Sequence, residues 1–131
     1  MADPVDDKKR ILVVDDDRTQ LALVESILKA EYDVTTVMSG KGALECLSKN
    51  LVPDLVLLDV LMPEMDGFDT YDKIQAMLDL PVIFLTAVNS PEEIQKALKI
   101  GAIDYITKPY IMKNFTNRVK NAIEIYRYKK R

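Results

Sequence analysis

Two short apolar runs, each ending abruptly on a carboxylate, constrain this chain more than any other feature. Leu55-Val56-Leu57-Leu58 runs into Asp59, and Ile11-Leu12-Val13-Val14 runs into Asp15-Asp16-Asp17. Neither run alternates with polar residues, which is the pattern of a strand covered on both faces within a parallel sheet. A buried helix segment can show the same pattern. Length favours strands here, as do the turn residues Pro53-Asp54 before the second run and the loop Met62-Pro63-Glu64-Met65-Asp66-Gly67 after it. Ligands of open α/β sheets gather outside the carboxyl ends of the strands. If these strands are parallel neighbours, four acidic residues converge at one sheet edge, where they need solvent, a cation or a basic side chain.

The rest of the chain supplies the partners of such a sheet. Leu21, Val24, Ile27 and Leu28 form the stripe of a helix over about 19–30, with Asp17 as its cap. Val34 to Val37 reads as a β-branched strand. After Ser39-Gly40 a helix runs to about Leu47 with Ala43, Leu44 and Leu47 inward and Cys46 at its margin. Gly67 opens a helix to about Met77, carrying Phe68, Tyr71, Ile74 and Leu78. Val82 to Leu85 is a third apolar strand, ending in Thr86-Ala87. Ser90-Pro91-Glu92-Glu93 has the cap, proline and glutamate of a helix start, for a helix with Ile94, Ala97 and Leu98 inward and Gly101 at its end. Ile103 to Ile106 is the last strand, with Lys108-Pro109 at its exit. From about Ile111 a final helix places Phe115, Val119, Ala122 and Tyr126 on one face.

Five strands alternating with five helices build a parallel sheet covered on both faces. Right-handed crossovers put all five strand exits on one edge, which then displays Asp15, Asp16, Asp59, Thr86 and Lys108. The 131 residues suit one domain. With 30% charged residues and a net charge of -3, the surface is mixed, and no basic block of nucleic-acid-binding type precedes the last few residues. The single Cys46 excludes an internal disulfide. No signal peptide is evident, and no stretch approaches the roughly 18 apolar residues of a membrane span; the expectation is a cytoplasmic protein. Histidine is absent, which removes imidazole acid/base chemistry and points to oxygen ligands and hard cations. No glycine-rich nucleotide-binding signature is present.

Three clustered carboxylates raise one another's pKa values unless a divalent cation keeps them ionised. Mg²⁺ suits such a site because it takes a few carboxylates and then accepts phosphate oxygens. Lys108 offers a positive donor and Thr86 a hydroxyl, a set able to stabilise a transferring phosphoryl group. A carboxylate is a competent acceptor of that group, forming an acyl phosphate.

These residues closely resemble the receiver domain of bacterial two-component response regulators, the CheY-like family. The resemblance spans about residues 9–127. It rests on Val13-Val14-Asp15-Asp16, on Leu58-Asp59 with Met62-Pro63-Glu64-Met65-Asp66-Gly67, on Leu85-Thr86-Ala87, and on Gly101 through Pro109. It implies a flavodoxin-like (βα)5 doubly wound fold with parallel strand order 2-1-3-4-5. Residues 1–8 would then be a flexible leader, and 128–131 a basic tail or the start of a linker. Asp59 would be the phosphoacceptor, served by a sensor histidine kinase or histidine phosphotransfer protein. Asp15 and Asp16 would hold Mg²⁺ (Mn²⁺ is also possible), Asp16 directly and Asp15 mainly through water, with Asp59 and the Leu61 backbone carbonyl completing the set. Thr86 and Lys108 match the phosphate-sensing pair and Tyr105 the aromatic switch, and Lys108-Pro109 is predicted cis. Phosphorylation would act on the last two helices and the last strand, a face through which homodimers could also form. The resemblance implies no direct contact with nucleic acid or membrane.

Arg18 and Asp17 depart from the family's common proline and glutamate, removing neither a ligand nor the acceptor. Leu61 and Val88 are apolar at the positions that tune phosphoryl lifetime, so an apolar rim is expected to slow hydrolysis. Two alternatives stay open at this level. One is a degenerate, phosphorylation-independent binding module. The other is a haloacid-dehalogenase-like phosphatase in which Asp15 of Asp15-Asp16-Asp17-Arg18-Thr19 is the nucleophile and Asp17 the acid/base.

Overall fold

Backbone register brings the two acidic strand ends together. The computed structural model describes residues 8–87 and 91–129. Its elements are β1 (Arg10–Val14), α1 (Arg18–Leu28), β2 (Asp33–Val37), α2 (Gly40–Ser48), β3 (Leu55–Asp59), α3 (Gly67–Met77), β4 (Val82–Ala87), α4 (Pro91–Ile100), β5 (Asp104–Lys108) and α5 (Met112–Lys129). The five strands form one parallel sheet in the order β2-β1-β3-β4-β5. Val14 pairs with Leu58, so Asp15 and Asp59 follow side by side on adjacent strands. Ala87 pairs with Lys108 on the far side of β3.

Strand alternation sorts the side chains between two cores. Ile11, Val13, Leu55, Leu57, Ile83, Leu85 and Ile106 face α1 and α5, meeting Leu21, Val24, Phe115 and Val119. Leu12, Val14, Val56, Leu58, Val82 and Phe84 face α2, α3 and α4, meeting Ala43, Phe68, Tyr71, Ile74 and Ala97. All five residues of β3 are buried, and each buried aliphatic side chain stabilises the fold by about 1.5–3 kcal/mol. Asp15, Asp59 and Lys108 continue the rows of Val13, Leu57 and Ile106, hence the α1/α5 side. Thr86 and Tyr105 alternate to the other side with Phe84.

Helix starts follow local chemistry. Asp17 caps α1 by accepting from Thr19 N (2.9 Å) and Gln20 N (3.4 Å). Ser39 caps α2 through Gly42 N, and Asp66 caps α3 through Asp69 N; such caps contribute about 1 kcal/mol each. Gly101 ends α4 at φ 109, a conformation open to glycine and costly for other residues.

Several boundaries differ from those read in the sequence. α1 stops at Leu28, short of the expected end at about residue 30. β4 continues through Thr86 and Ala87, which pair with Thr107 and Lys108, and β5 accordingly starts one residue later and ends two residues later than its apolar stretch suggested. Leu98, expected inward, is 49% exposed, because α4 buries only Ala97 fully and turns Ile94 and Ile100 partly inward instead. α5 extends from Met112 to Lys129. Residues 1–7 of the expected leader, Val88, the proposed cap Ser90, and residues 130–131 lie outside the described residues.

Gly67 is set against the strand end that carries Asp59. Its N–H donates to Val60 O (2.8 Å), and a Cβ there would stand 2.3 Å from Asp59 O and 2.8 Å from Val60 Cα. Backbone cannot yield as a flexible side chain does. Gly67→Ala is therefore expected to cost about 3 kcal/mol, the upper range for overpacking, read as a lower urea midpoint; an unchanged midpoint would contradict this packing.

Candidate functional site

The rows described above end in a cleft of about 210 Å³ lined by Asp15, Asp16, Asp59, Leu61, Glu93 and Lys108 among others. Asp15 is 1% exposed and Asp59 6%, while Asp16 is exposed. Lys108 Nζ donates to Asp15 Oδ2 at 3.0 Å and to Asp59 Oδ1 at 3.2 Å. Asp15 Oδ1 also accepts from Asp17 N at 2.9 Å. One ammonium thus holds two carboxylates from neighbouring strands. The Lys108-Pro109 peptide bond is cis.

Electrostatics follow from this packing. Burial pushes the Asp59 carboxyl up to about 6, and the charge of Asp15 adds to the rise; the Lys108 ammonium opposes it without cancelling it. For Lys108, burial works against the charged form, but the Asp15 hydrogen bond and the charges of Asp59 and Asp15 outweigh it and hold the ammonium above its ordinary value. Burial raises the Tyr110 phenol, with Asp15, Asp59 and Asp17 adding to the effect. Tyr110 packs edge-on against Phe115 of α5, ring centroids 4.9 Å apart.

The donor set fits a hard dication. One carboxylate oxygen from each of Asp15, Asp16 and Asp59 lies within 4.8 Å of the others. All three are oxygen ligands, and two of them are buried where uncompensated charge is costly. This is a divalent-metal site suited to Mg²⁺ or Mn²⁺.

Other expected site residues stand apart from the Lys108 cluster. Thr86 is fully buried at the end of β4, and its Oγ1 has no hydrogen-bond partner. Tyr105 is half-buried on β5. Arg118 of α5 donates from Nη1 to Asp104 Oδ1 (2.8 Å) and to Tyr105 O (2.9 Å), its guanidinium lying 5.5 Å from the Tyr105 ring centroid. Leu61 is 63% exposed at the cleft rim. Two nearby residues carried no site assignment from sequence. Glu93 was read only as part of a helix start, and Tyr110 was passed over although it directly follows Lys108-Pro109, the signal that could have drawn attention to it.

Residues 11–120 match the response regulator receiver domain family. The chain is 39% identical over 123 residues to the two-component response regulator ARR10 of Arabidopsis thaliana, covering 92% of this chain and 22% of that protein. It is 38% identical over 128 residues to the transcriptional regulatory protein RprY of Bacteroides fragilis, covering 96% and 54%. Among solved structures, the N-terminal domain of a response regulator/sensory box/GGDEF protein from Carboxydothermus hydrogenoformans superposes with a TM-score of 0.86 at 34% identity, covering 94% of this chain and 100% of that one. A response regulator receiver domain protein from Clostridium thermocellum gives 0.85 at 28%, covering 92% and 98%. The chain belongs to the CheY-like receiver domains of response regulators. It spans about half or less of the length of the first curated relatives it matches. The (βα)5 fold with strand order 2-1-3-4-5 is the one that this family implies. Such domains catalyse phosphoryl transfer onto themselves and its hydrolysis rather than turning over a separate substrate.

Because the folded Asp59 pKa lies near 6, above its ordinary 3.8, the native state binds more protons than the unfolded chain between those values. The stability tied to protonated Asp59 is present below about 4 and lost as pH rises through about 6. Asp59→Asn is thus expected to raise the melting temperature of metal-free protein at pH 7, with the gain vanishing toward pH 4. Thermal melts across that range check it, and a gain independent of pH would contradict it.

Proposed function

We propose that this domain takes a phosphoryl group onto Asp59 from a sensor histidine kinase or a histidine phosphotransfer protein, and that the acyl phosphate switches the face built from α4, β5 and α5. The observation that carries this reading is the pairing of a buried carboxylate with Lys108 at the end of β3, beside two further aspartates of a metal site. Asp59 is the nucleophile. An oxygen of its carboxylate attacks phosphorus as the donor's P–N bond breaks and the imidazole leaves with the electron pair, while Lys108, already within hydrogen-bond reach of Asp59, is placed to contact the equatorial oxygens. Mg²⁺ or Mn²⁺ held by Asp15, Asp16, Asp59 and the Leu61 carbonyl would offset the carboxylate charge and offer phosphoryl oxygens a coordination position.

Thr86 supports the switching part. A buried hydroxyl without a partner is poised to follow a new acceptor, and Tyr105 lies one strand over on the same side of the sheet. The acyl phosphate then biases an equilibrium between two arrangements of that side. Leu98 on α4 and Ile125 on α5 are 49% and 47% exposed, and with Lys99, Lys113, Asn117 and Lys120 nearby in sequence they give a mixed surface through which homodimers would form. Leu61, exposed at the rim, screens the phosphoryl group from hydrolytic water; Val88 would share that role. The phosphatase alternative requires a free Asp17, whose carboxylate is instead engaged in capping α1. No described helix is long and apolar enough to cross a membrane.

Incubation with Mg²⁺ and acetyl phosphate, followed by intact-mass measurement, is expected to show one added phosphoryl group. Asp59→Asn and EDTA should each abolish it; uptake by D59N at the wild-type level would overturn the assignment. No adduct, together with no beryllofluoride binding at Asp59, would identify a degenerate binding module. Leu61→Asn is expected to shorten the phosphoryl half-life severalfold, measured by mass after donor removal, and an unchanged half-life would reject the apolar-rim role.

A further inference from the structure

Three buried polar side-chain atoms among the described residues lack a hydrogen-bond partner: Thr86 Oγ1, the Tyr110 phenol oxygen and Glu93 Oε1. The first two belong to hydroxyls, which either donate or accept. A carboxylate oxygen only accepts. Burying one without a donor is costly, so what Glu93 lacks is an N–H group or a cation. A place in the first turn of α4 accounts for a carboxylate there through the helix dipole. It does not account for an oxygen closed off from solvent with nothing donating to it.

Glu93 lines the same cleft as Asp59. Among the described residues of that lining Lys108 is the only basic one, and its ammonium is already shared between Asp15 and Asp59. With Asp15, Asp16, Asp17 and Asp59, Glu93 brings the lining to five carboxylates against one ammonium. With a dication on Asp15, Asp16 and Asp59 the carboxylates would still outnumber the positive charges, so the wall repels an incoming dianion and attracts a donor carrying positive charge on the bond to be broken.

Resting on the phosphoacceptor reading above, we propose that Glu93 is a specificity-determining residue of the transfer cleft. It disfavours free dianionic acyl phosphates and favours N-linked phosphoryl donors whose leaving nitrogen is protonated. In the transfer an Asp59 oxygen forms the new bond to phosphorus. From acetyl phosphate the P–O bond breaks and acetate departs with the electron pair. From an N-phosphoryl donor the P–N bond breaks, and the nitrogen, protonated beforehand, leaves neutral with that pair. Once the Glu93 carboxylate turns toward the cleft, Oε1 accepts from the N–H that such a donor presents, which supplies its missing partner.

The test compares phosphorylation rates of the full chain with Mg²⁺, followed by intact mass at low ionic strength. Acetyl phosphate, a dianion, is set against phosphoramidate, whose protonated nitrogen leaves it a monoanion. In E93Q the acetyl phosphate rate is expected to rise about threefold relative to the phosphoramidate rate, from charge repulsion partly screened by solvent. E93D should restore the wild-type ratio. In about 1 M salt, where the screening length falls to about 3 Å, the difference should disappear. A ratio unchanged in E93Q, or two rates that fall together, overturns the proposal. Wild type that takes no phosphoryl group from either donor, matching D59N, overturns the phosphoacceptor reading and this inference with it.

Discussion

The contact on which this site depends is the Lys108 ammonium shared between Asp15 and Asp59. Each carboxylate is nearly excluded from water, and together they would be difficult to keep ionised. Asp59 pays part of that cost even so, its pKa standing near 6 with the lysine in place. The arrangement is therefore held in tension between burial, which favours neutral acids, and one cation reaching across from β5. A cation-binding cleft follows from that tension. Whatever adds positive charge relaxes it, and whatever adds negative charge must displace or share the lysine.

The sheet makes that contact possible. Lys108 lies 93 residues from Asp15 in the chain, yet parallel pairing across β1, β3, β4 and β5 sets their strand ends along one edge. Strand alternation then separates two tasks. The charged groups continue the rows that face α1 and α5, whereas Thr86 and Tyr105 continue the row of Phe84, toward α3 and α4. The aromatic packing of Phe84 with Phe68 and Tyr71 makes this second side a closely packed one.

Arg118 adds a tie between α5 and β5 through Asp104 and the Tyr105 carbonyl, beside the Tyr105 ring. The exposed apolar residues Leu98 and Ile125 lie on α4 and α5, the two helices in contact with β5.

Much of this was legible from the chain alone, for identifiable reasons. Uninterrupted apolar runs ending in Asp15 and Asp59 marked buried parallel strands. Asp17 declared a helix start through its capping side chain, and the helical stripe of Leu21, Val24 and Leu28 faced the core. Strand ends were harder. Thr86, Ala87, Thr107 and Lys108 belong to β4 and β5 because they pair with one another, and pairing leaves no trace in local hydrophobicity. Leu98 turned outward because the α4 contact is made by Ala97, a choice set by how closely the helix approaches the sheet. Glu93 reached the acidic cleft from a helix start and Tyr110, on a loop, came close enough to feel its carboxylates; local sequence assigned the one a structural task and the other none. The sequence by itself determined which chemical groups were available and which strands carried them, because periodicity and capping are local. Tertiary structure alone decided which groups meet, how deeply they are buried and which oxygen is left without a donor, because those depend on neighbours far away in the chain.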